Sequence, residues 1–374
     1  MTVKEEICFH MLASIEGFGK RTLFKLYDRY GDIEEISRLG EDVLKNYMSA
    51  GALGNFISKR KCFDAAESYK EMRKKGIRII PFISDEFPSK LRNIPDPPAS
   101  LYLLGELPLE SYPSVAIIGA RMCSEYGRFA AREFGMGLAE SGIQIISGMA
   151  MGVDGISQKA ALSVSGRSFA VLGCGVDICY PADNRELYEE LKKGGGIISE
   201  YPPGTMPQRG FFPVRNRIIS GLSDAVLVVE ARKKSGTLIT VDMALEQGRE
   251  IFAVPGRITD RISDGCNDLI RQGAGIATCV NDIKESFFTG LDGDKKDDSA
   301  QKVRTNEASS PAIHLTDMEK AVLSVMDIYP MSSSQILEKL SLSGINCKAS
   351  ELLPLLTMMQ LKGYISPQGS YYIK

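Results

Sequence analysis

The chain has 374 residues, 44% of them hydrophobic and 25% charged, which is globular composition and enough length for two or three domains. Lys and Arg total 45 against 47 Asp and Glu, a net charge of −2, so a general basic coat is excluded and any polyanion must be held by a local patch. No apolar run is long enough to span a bilayer, MTVKEEICFH has no signal-peptide core, and the eight Cys include no C-x-x-C pair. These features predict a cytoplasmic chain with no membrane segment, no metal site, no cofactor and no disulfide scaffold. The two His, His10 and His314, both lie outside the central segment, which excludes a His general base there.

Residues 1–110 read as short helices followed by a connector. Leu23, Leu26, Tyr27 and Tyr30 form one apolar helical pattern after Gly17 and Gly19; Ile33, Ile36 and Leu39 form a second after a Gly31–Asp32 turn. Residues 77–80 have strand character, and Pro95-Asp96-Pro97-Pro98 is a rigid lead into a second apolar run, 101–104. Across 111–289 the pattern changes. Strand candidates at 115–119, 143–147, 169–172, 197–199, 225–229, 251–254 and 276–280 alternate with helical stretches at 126–140, 156–163, 185–193, 215–222, 238–247 and 267–272. Near-continuously apolar strands alternating with helices predict an α/β fold with a doubly wound parallel sheet. Residues 290–311 are charged and small, the composition of a flexible linker. Residues 312–374 carry three amphipathic helices and a two-stranded hairpin, the layout of a winged-helix domain.

A doubly wound sheet binds ligands at the carboxyl ends of its strands. After the first central strand comes Gly119-Ala120-Arg121. This is neither a dinucleotide fingerprint nor a P-loop; it is a tight turn that carries a guanidinium to the strand ends, where it either grips a phosphate or pairs with Glu125. Ser147 and Gly148 after the second strand are small enough for close backbone approach, and Lys159 on the next helix is either a phosphate contact or a solvated charge. From Tyr201 to Leu222 there are three Arg and no acidic residue. Arg209, Phe212, Arg215, Asn216 and Arg217 there form a basic and aromatic patch suited to phosphates and stacked bases. The alternative is a core role for Phe211 and Phe212, with Arg217 paired to Glu200 or Glu230. After the fifth strand, Lys234, Ser235 and Gly236 open a helix as a second anion nest. Cys174 and Cys179 have no His nearby and read as buried thiols.

These peptides, in order, resemble the DNA-processing protein A (DprA/Smf) family: VAIIGAR, SGMAMGVD, GCGVDICYP-x-x-N, SE-x-x-PG, FPVRNRIISGLSD, VVEA with SGTLIT, IFAVPG and GCNDLIRQGA. The likeness is close from Ser114 to Val280 and looser from about Ile77. It implies an extended Rossmann-like domain that binds single-stranded DNA, forms a homodimer, protects incoming DNA and helps load the RecA recombinase during natural transformation, with no catalysis. Residue by residue it implies DNA contacts at Arg121, Arg209, Phe212, Arg215, Arg217 and Lys234; with the strand-end residues read above, the expected DNA-binding set is Gly119, Arg121, Ser147, Gly148, Lys159, Arg209, Phe212, Arg215, Asn216, Arg217, Lys234, Ser235 and Gly236. The N-terminal IEGFGKRTLFKLYDRYGDIEEI looks like a helix-hairpin-helix of a SAM-like domain. The competing reading is a nucleotide-cleaving enzyme of the lysine decarboxylase-like type, with Glu246 acting on a ribose.

Overall fold

A computed structural model of the chain describes residues 1–288, 316–326, 331–345, 347–362, 364–368 and 371–373. The chain divides into two compact units, Met1–Asp292 and Gly293–Lys374. The linker expected at 290–311 lies outside the described residues.

The first unit begins with α1 (Val3–Ala13), α2 (Lys20–Tyr30), α3 (Ile33–Arg38), α4 (Glu41–Leu44), α5 (Ala50–Cys62) and α6 (Ala65–Lys74). Thr2 and Glu5 form a capping box on α1, and Asp32 caps α3 through the N–H groups of Glu34 and Glu35. The two-glycine turn before α2 backs onto α5. Gly17 has φ 85°, and a Cβ there would stand 2.8 Å from that of Ala52. Next come β1 (Arg78–Pro81), α7 (Ser89–Arg92) and β2 (Ser100–Gly105).

The alternating segment follows as β3 (Ser114–Ile118), α8 (Glu125–Glu140), β4 (Gln144–Ser147), α9 (Val153–Ser163), β5 (Ser168–Leu172), α10 (Arg185–Gly194), β6 (Gly195–Ser199) and α11 (Phe211–Gly221). It continues with β7 (Ala225–Val228), α12 (Gly236–Glu246), β8 (Glu250–Ala253), α13 (Asp264–Arg271), β9 (Gly275–Ile276) and α14 (Val280–Phe288). All nine strands join one sheet in the order β1-β2-β6-β5-β4-β3-β7-β8-β9. β3 to β9 run parallel, while β2 pairs antiparallel with both β6 and β1. Residues 78–105, read from sequence with the N-terminal helices, therefore extend the central sheet.

Side chains alternate between the two faces of the sheet. Val115 and Ile117 pack with Phe134, Leu138 and Val153 under α8 and α9; Ala116 and Ile118 pack with Ile218, Ile219 and Val241 under α11 and α12. The N-terminal helices cover the β2, β5 and β6 end of the α8 face, where Phe9, Leu12 and Tyr102 share a core with Leu172, Leu191 and Ile197. Two elements differ from the sequence expectation. α11 starts at Phe211 rather than Arg215, because Pro213 in its first turn lacks only an N–H that has no helical acceptor there. The strand expected at 276–280 is two residues long, because Asp282 accepts from the N–H groups of Thr278 and Cys279 and turns the chain into α14.

The second unit holds α15 (Asp317–Val325), β10 (Met331–Ser332), α16 (Ser333–Leu342), α17 (Ala349–Leu361), β11 (Ser366–Gln368) and β12 (Tyr371–Ile373), its strands ordered β10-β12-β11. The two-stranded wing expected from sequence gains β10 as a third strand. Val322, Ile336, Leu340, Leu352 and Leu356 form its core, and Lys362 is tied to Glu319 at 2.6 Å. No described helix is long and apolar enough to cross a membrane. Among the described residues no group of three or more His, Cys, Asp or Glu could hold a metal, and the eight cysteines are free thiols.

His10 is buried in α1 between the Tyr102 hydroxyl at 3.0 Å and the Ser68 hydroxyl at 2.9 Å. Burial lowers its pKa from the ordinary 6.5 to about 4. Between these values the unfolded chain binds more protons, so the stability that neutral His10 contributes is complete above about pH 6.5 and is lost as the pH falls toward 4. The loss of unfolding free energy from pH 7 to pH 4 should be smaller in His10→Gln by about 3 kcal/mol or less. Denaturant titrations at both pH values measure it. Equal losses in the two proteins would assign the acid sensitivity to other groups.

Candidate functional site

The sheet changes winding direction between β3 and β7. From β3 the chain steps outward through β4, β5 and β6; α11 then carries it back to β7, and it steps outward the other way. Loops on either side of such a switch part and leave a crevice at the carboxyl ends of the strands. Here the crevice is a cleft of about 900 Å³. Gly119, Arg121, Arg209, Phe212, Arg215, Asn216, Ser235 and Gly236 all line it, which brings together three peptides far apart in sequence.

Arg215 forms the floor. Its guanidinium is buried and donates to the carbonyls of Gly148, at 3.0 Å, and Val171. A Cβ on Gly148 would lie 2.6 Å from this guanidinium, so a side chain there would push Arg215 out of its place. Burial lowers the Arg215 pKa to about 10, which leaves it a cation at neutral pH, and burial raises that of Asp154 beside it. Asp154 in turn accepts the Gly148 N–H at 3.1 Å. Beyond Gly148 the chain passes through Met149 at φ 52°. Gln158 accepts its N–H and Asn184 donates to its carbonyl, so α9 and the turn before α10 hold this strained residue.

Phe212 supplies the aromatic face. Its ring lies 5.5 Å from that of Tyr180, with the guanidinium groups of Arg121 and Arg215 at 5.9 and 6.0 Å from its centre. Phe211 stacks instead on Tyr201, with ring centres 4.2 Å apart. Arg121 and Arg209 are exposed. Glu125, the sequence alternative as partner for Arg121, pairs with Arg128. The Arg121 loop is fixed behind by Glu230, whose buried carboxylate accepts from the N–H and hydroxyl of Ser124, the cap of α8. It is also fixed in front by Thr237, which donates to the Gly119 carbonyl at 3.3 Å. Ser235 caps α12 through the Thr237 N–H.

The other expected residues lie elsewhere. Ser147 is buried and donates to the Ile117 carbonyl at 2.6 Å, bracing β4 against β3. Gly148 sits beneath the cleft as the Arg215 acceptor. Lys159 is exposed and paired with Glu186. Arg217 is 5% exposed and bound to Glu200 and Asp96, the carboxylate alternative weighed from sequence for Glu200. Lys234 is exposed outside the lining. Sequence reading missed Tyr180, Asp154 and Arg232 as lining residues. Arg232 was legible: it is the first of three cations after β7 and so stands nearest the strand end.

Comparisons with known proteins identify the family and the fold. A sequence model of the family described as DNA recombination-mediator protein A matches residues 78–288. The DNA processing protein DprA of Streptococcus pneumoniae is 40% identical over 224 residues, 60% of this chain and 78% of that protein. Its X-ray structure is similar with a TM-score of 0.63 at 33% identity, covering 76% of this chain and 98% of that one. The Helicobacter pylori DNA processing protein A, a structure described for its single-stranded DNA binding mode, has a TM-score of 0.52 at 31% identity and covers 57% and 96%. With a family model matched over more than half of its length and relatives of this identity, the chain belongs to the DNA recombination-mediator protein A family, whose curated members carry the names DprA and Smf.

Proposed function

We propose that the cleft binds single-stranded DNA and that the protein acts in DNA processing without catalysing a reaction. The observation that carries this reading is the pairing of exposed guanidinium groups, Arg121, Arg209 and Arg232, with the aromatic face of Phe212 and Tyr180 in one open cleft. Cations serve phosphates of any sequence, and aromatic rings stack on any unpaired base. The fold's relatives add support, since the H. pylori protein's structure is described for the same ligand. Arg121, Arg209, Phe212, Asn216, Ser235 and Gly236 are the proposed contacts, with Arg215 as their buried support. The enzyme reading has little to rest on. Glu246 is exposed at the last residue of α12, about 9 Å along the helix beyond Thr240, the last α12 residue that lines the cleft.

The cellular role proposed with this activity is protection of incoming DNA and loading of RecA in the cytoplasm of a transformable cell. In this reading residues 111–289 hold the DNA, and the winged helix at 312–374 docks protein rather than duplex. Few basic residues stand near α17: Lys348 precedes it and Lys362 is tied to Glu319. We further propose a homodimer through the β8–β9 edge, where β9 is short and Ile276 is 51% exposed.

A mobility-shift assay should show oligo-dT bound more tightly than a blunt duplex of the same length, with affinity falling steeply with salt. Equal or tighter duplex binding would reject the single-strand reading. Arg121→Ala should weaken oligo-dT binding by about 1–3 kcal/mol with the fold intact, and Arg121→Lys should recover only part, because the bidentate fork is lost. Wild-type affinity in folded Arg121→Ala would remove Arg121 from the contacts. A dimer carries two clefts that one long strand can engage together, so it should favour long strands over short ones. Sedimentation should show a dimer at roughly tens of micromolar and a monomer for Ile276→Glu, which should also lose that preference. A dimer that survives Ile276→Glu would place the interface elsewhere.

A further inference from the structure

Arg217 joins a closed group of four charges behind α11. Its guanidinium donates 2.7 Å bonds to both oxygens of Glu200 and a 2.8 Å bond through Nε to Asp96. Lys20, the first residue of α2, bonds Asp96 and stands 3.8 Å from Glu200. Two cations and two carboxylates balance within one cluster, and Arg217, Lys20 and Glu200 are largely removed from water. Three separate segments converge on α11 in this way: the N-terminal helices, the proline-rich connector and the turn after β6. That last turn grips α11 a second time, since Tyr201 next to Glu200 stacks on Phe211. Phe211 and Arg217 bracket Phe212 and Asn216, which line the cleft.

We propose that the Lys20–Asp96–Glu200–Arg217 cluster is a positioning device, through which Lys20 makes the N-terminal helices part of the single-strand site without touching the strand. This rests on the single-strand reading above. Without the Lys20 charge, two carboxylates share one guanidinium, and the spare negative charge loosens the grip on Arg217. α11 is then free to shift, and Phe212 and Asn216 move with it. A binding site tolerates misplacement of only about half an ångström before its contacts weaken.

The test is binding of the full chain to fluorescein-labelled oligo-dT over a salt series. Lys20→Met keeps the aliphatic stem and should weaken binding about three- to tenfold. The slope of log affinity against log salt should stay unchanged, because no phosphate contact is lost. Lys20→Arg should restore most of the affinity. Arg121→Ala supplies the contrast, since loss of a direct phosphate contact lowers the slope by about one. Asp96→Asn gives an independent reading. Removing a negative charge tightens DNA binding by simple attraction, whereas disruption of the cluster weakens it. Melting curves confirm that each protein is folded at the assay temperature. Wild-type affinity in Lys20→Met overturns the proposal, as does a slope reduced by about one, which makes Lys20 a phosphate contact; tighter binding by Asp96→Asn overturns it too. Failure of the unaltered chain to bind oligo-dT overturns the single-strand reading, and this inference with it, before any variant is compared.

Discussion

Where β4 and β5 end, the guanidinium of Arg215 takes the carbonyls of Gly148 and Val171 and holds the two strand ends at a set spacing. The rest of the cleft is arranged around this buried cation. Taking a guanidinium out of water is unfavourable unless its hydrogen bonds and charge are compensated. Carbonyls supply the bonds, Asp154 supplies a neighbouring negative charge, and Gly148 leaves the room. Because Arg215 also lies 6.0 Å from the centre of the Phe212 ring, the same group that sets the floor places the aromatic wall.

The positive charge of the site falls into two populations. Arg215, Arg217 and Lys20 are held by carbonyls or carboxylates, and their work is to fix elements in place. Arg121, Arg209 and Arg232 stand exposed around the opening. A chain with a net charge of −2 can therefore present a cationic mouth, because these three guanidinium groups converge on one opening although basic and acidic residues balance over the whole chain. Salt sensitivity belongs to the second population, and geometry to the first.

The sequence made the sheet legible because consecutive strand residues are apolar on both faces, a pattern that only a doubly covered parallel strand needs. The cleft followed from it, since strand ends are where glycine turns and cations are informative. What the sequence could not separate was the role of cations within one peptide. Arg215 and Arg217 stand two apart on a helix and so point to different sides, yet both read as phosphate ligands until Glu200 and Asp96 are placed in space. The two-glycine turn before α2 has the residues of a backbone-phosphate grip, and only tertiary structure shows Ala52 packed against it. Strand β9 failed for a local reason: Asp282 offers the backbone a better partner than the sheet edge does.

The antiparallel entry of β2 beside β6 has a consequence for synthesis. Tyr102 pairs with Ser199, and the core beneath the N-terminal helices contains Leu172, Leu191 and Ile197 alongside Phe9 and Leu12. On the ribosome the N-terminal helices therefore emerge before about half of their own core exists. Until β6 has cleared the exit tunnel, the part of this core supplied by Leu172, Leu191 and Ile197 is missing. Long-range closure of this kind is slow and leaves apolar surface open to chaperones in the interval. The N-terminal module is thus first in sequence, yet its core closes only once β6 is in place.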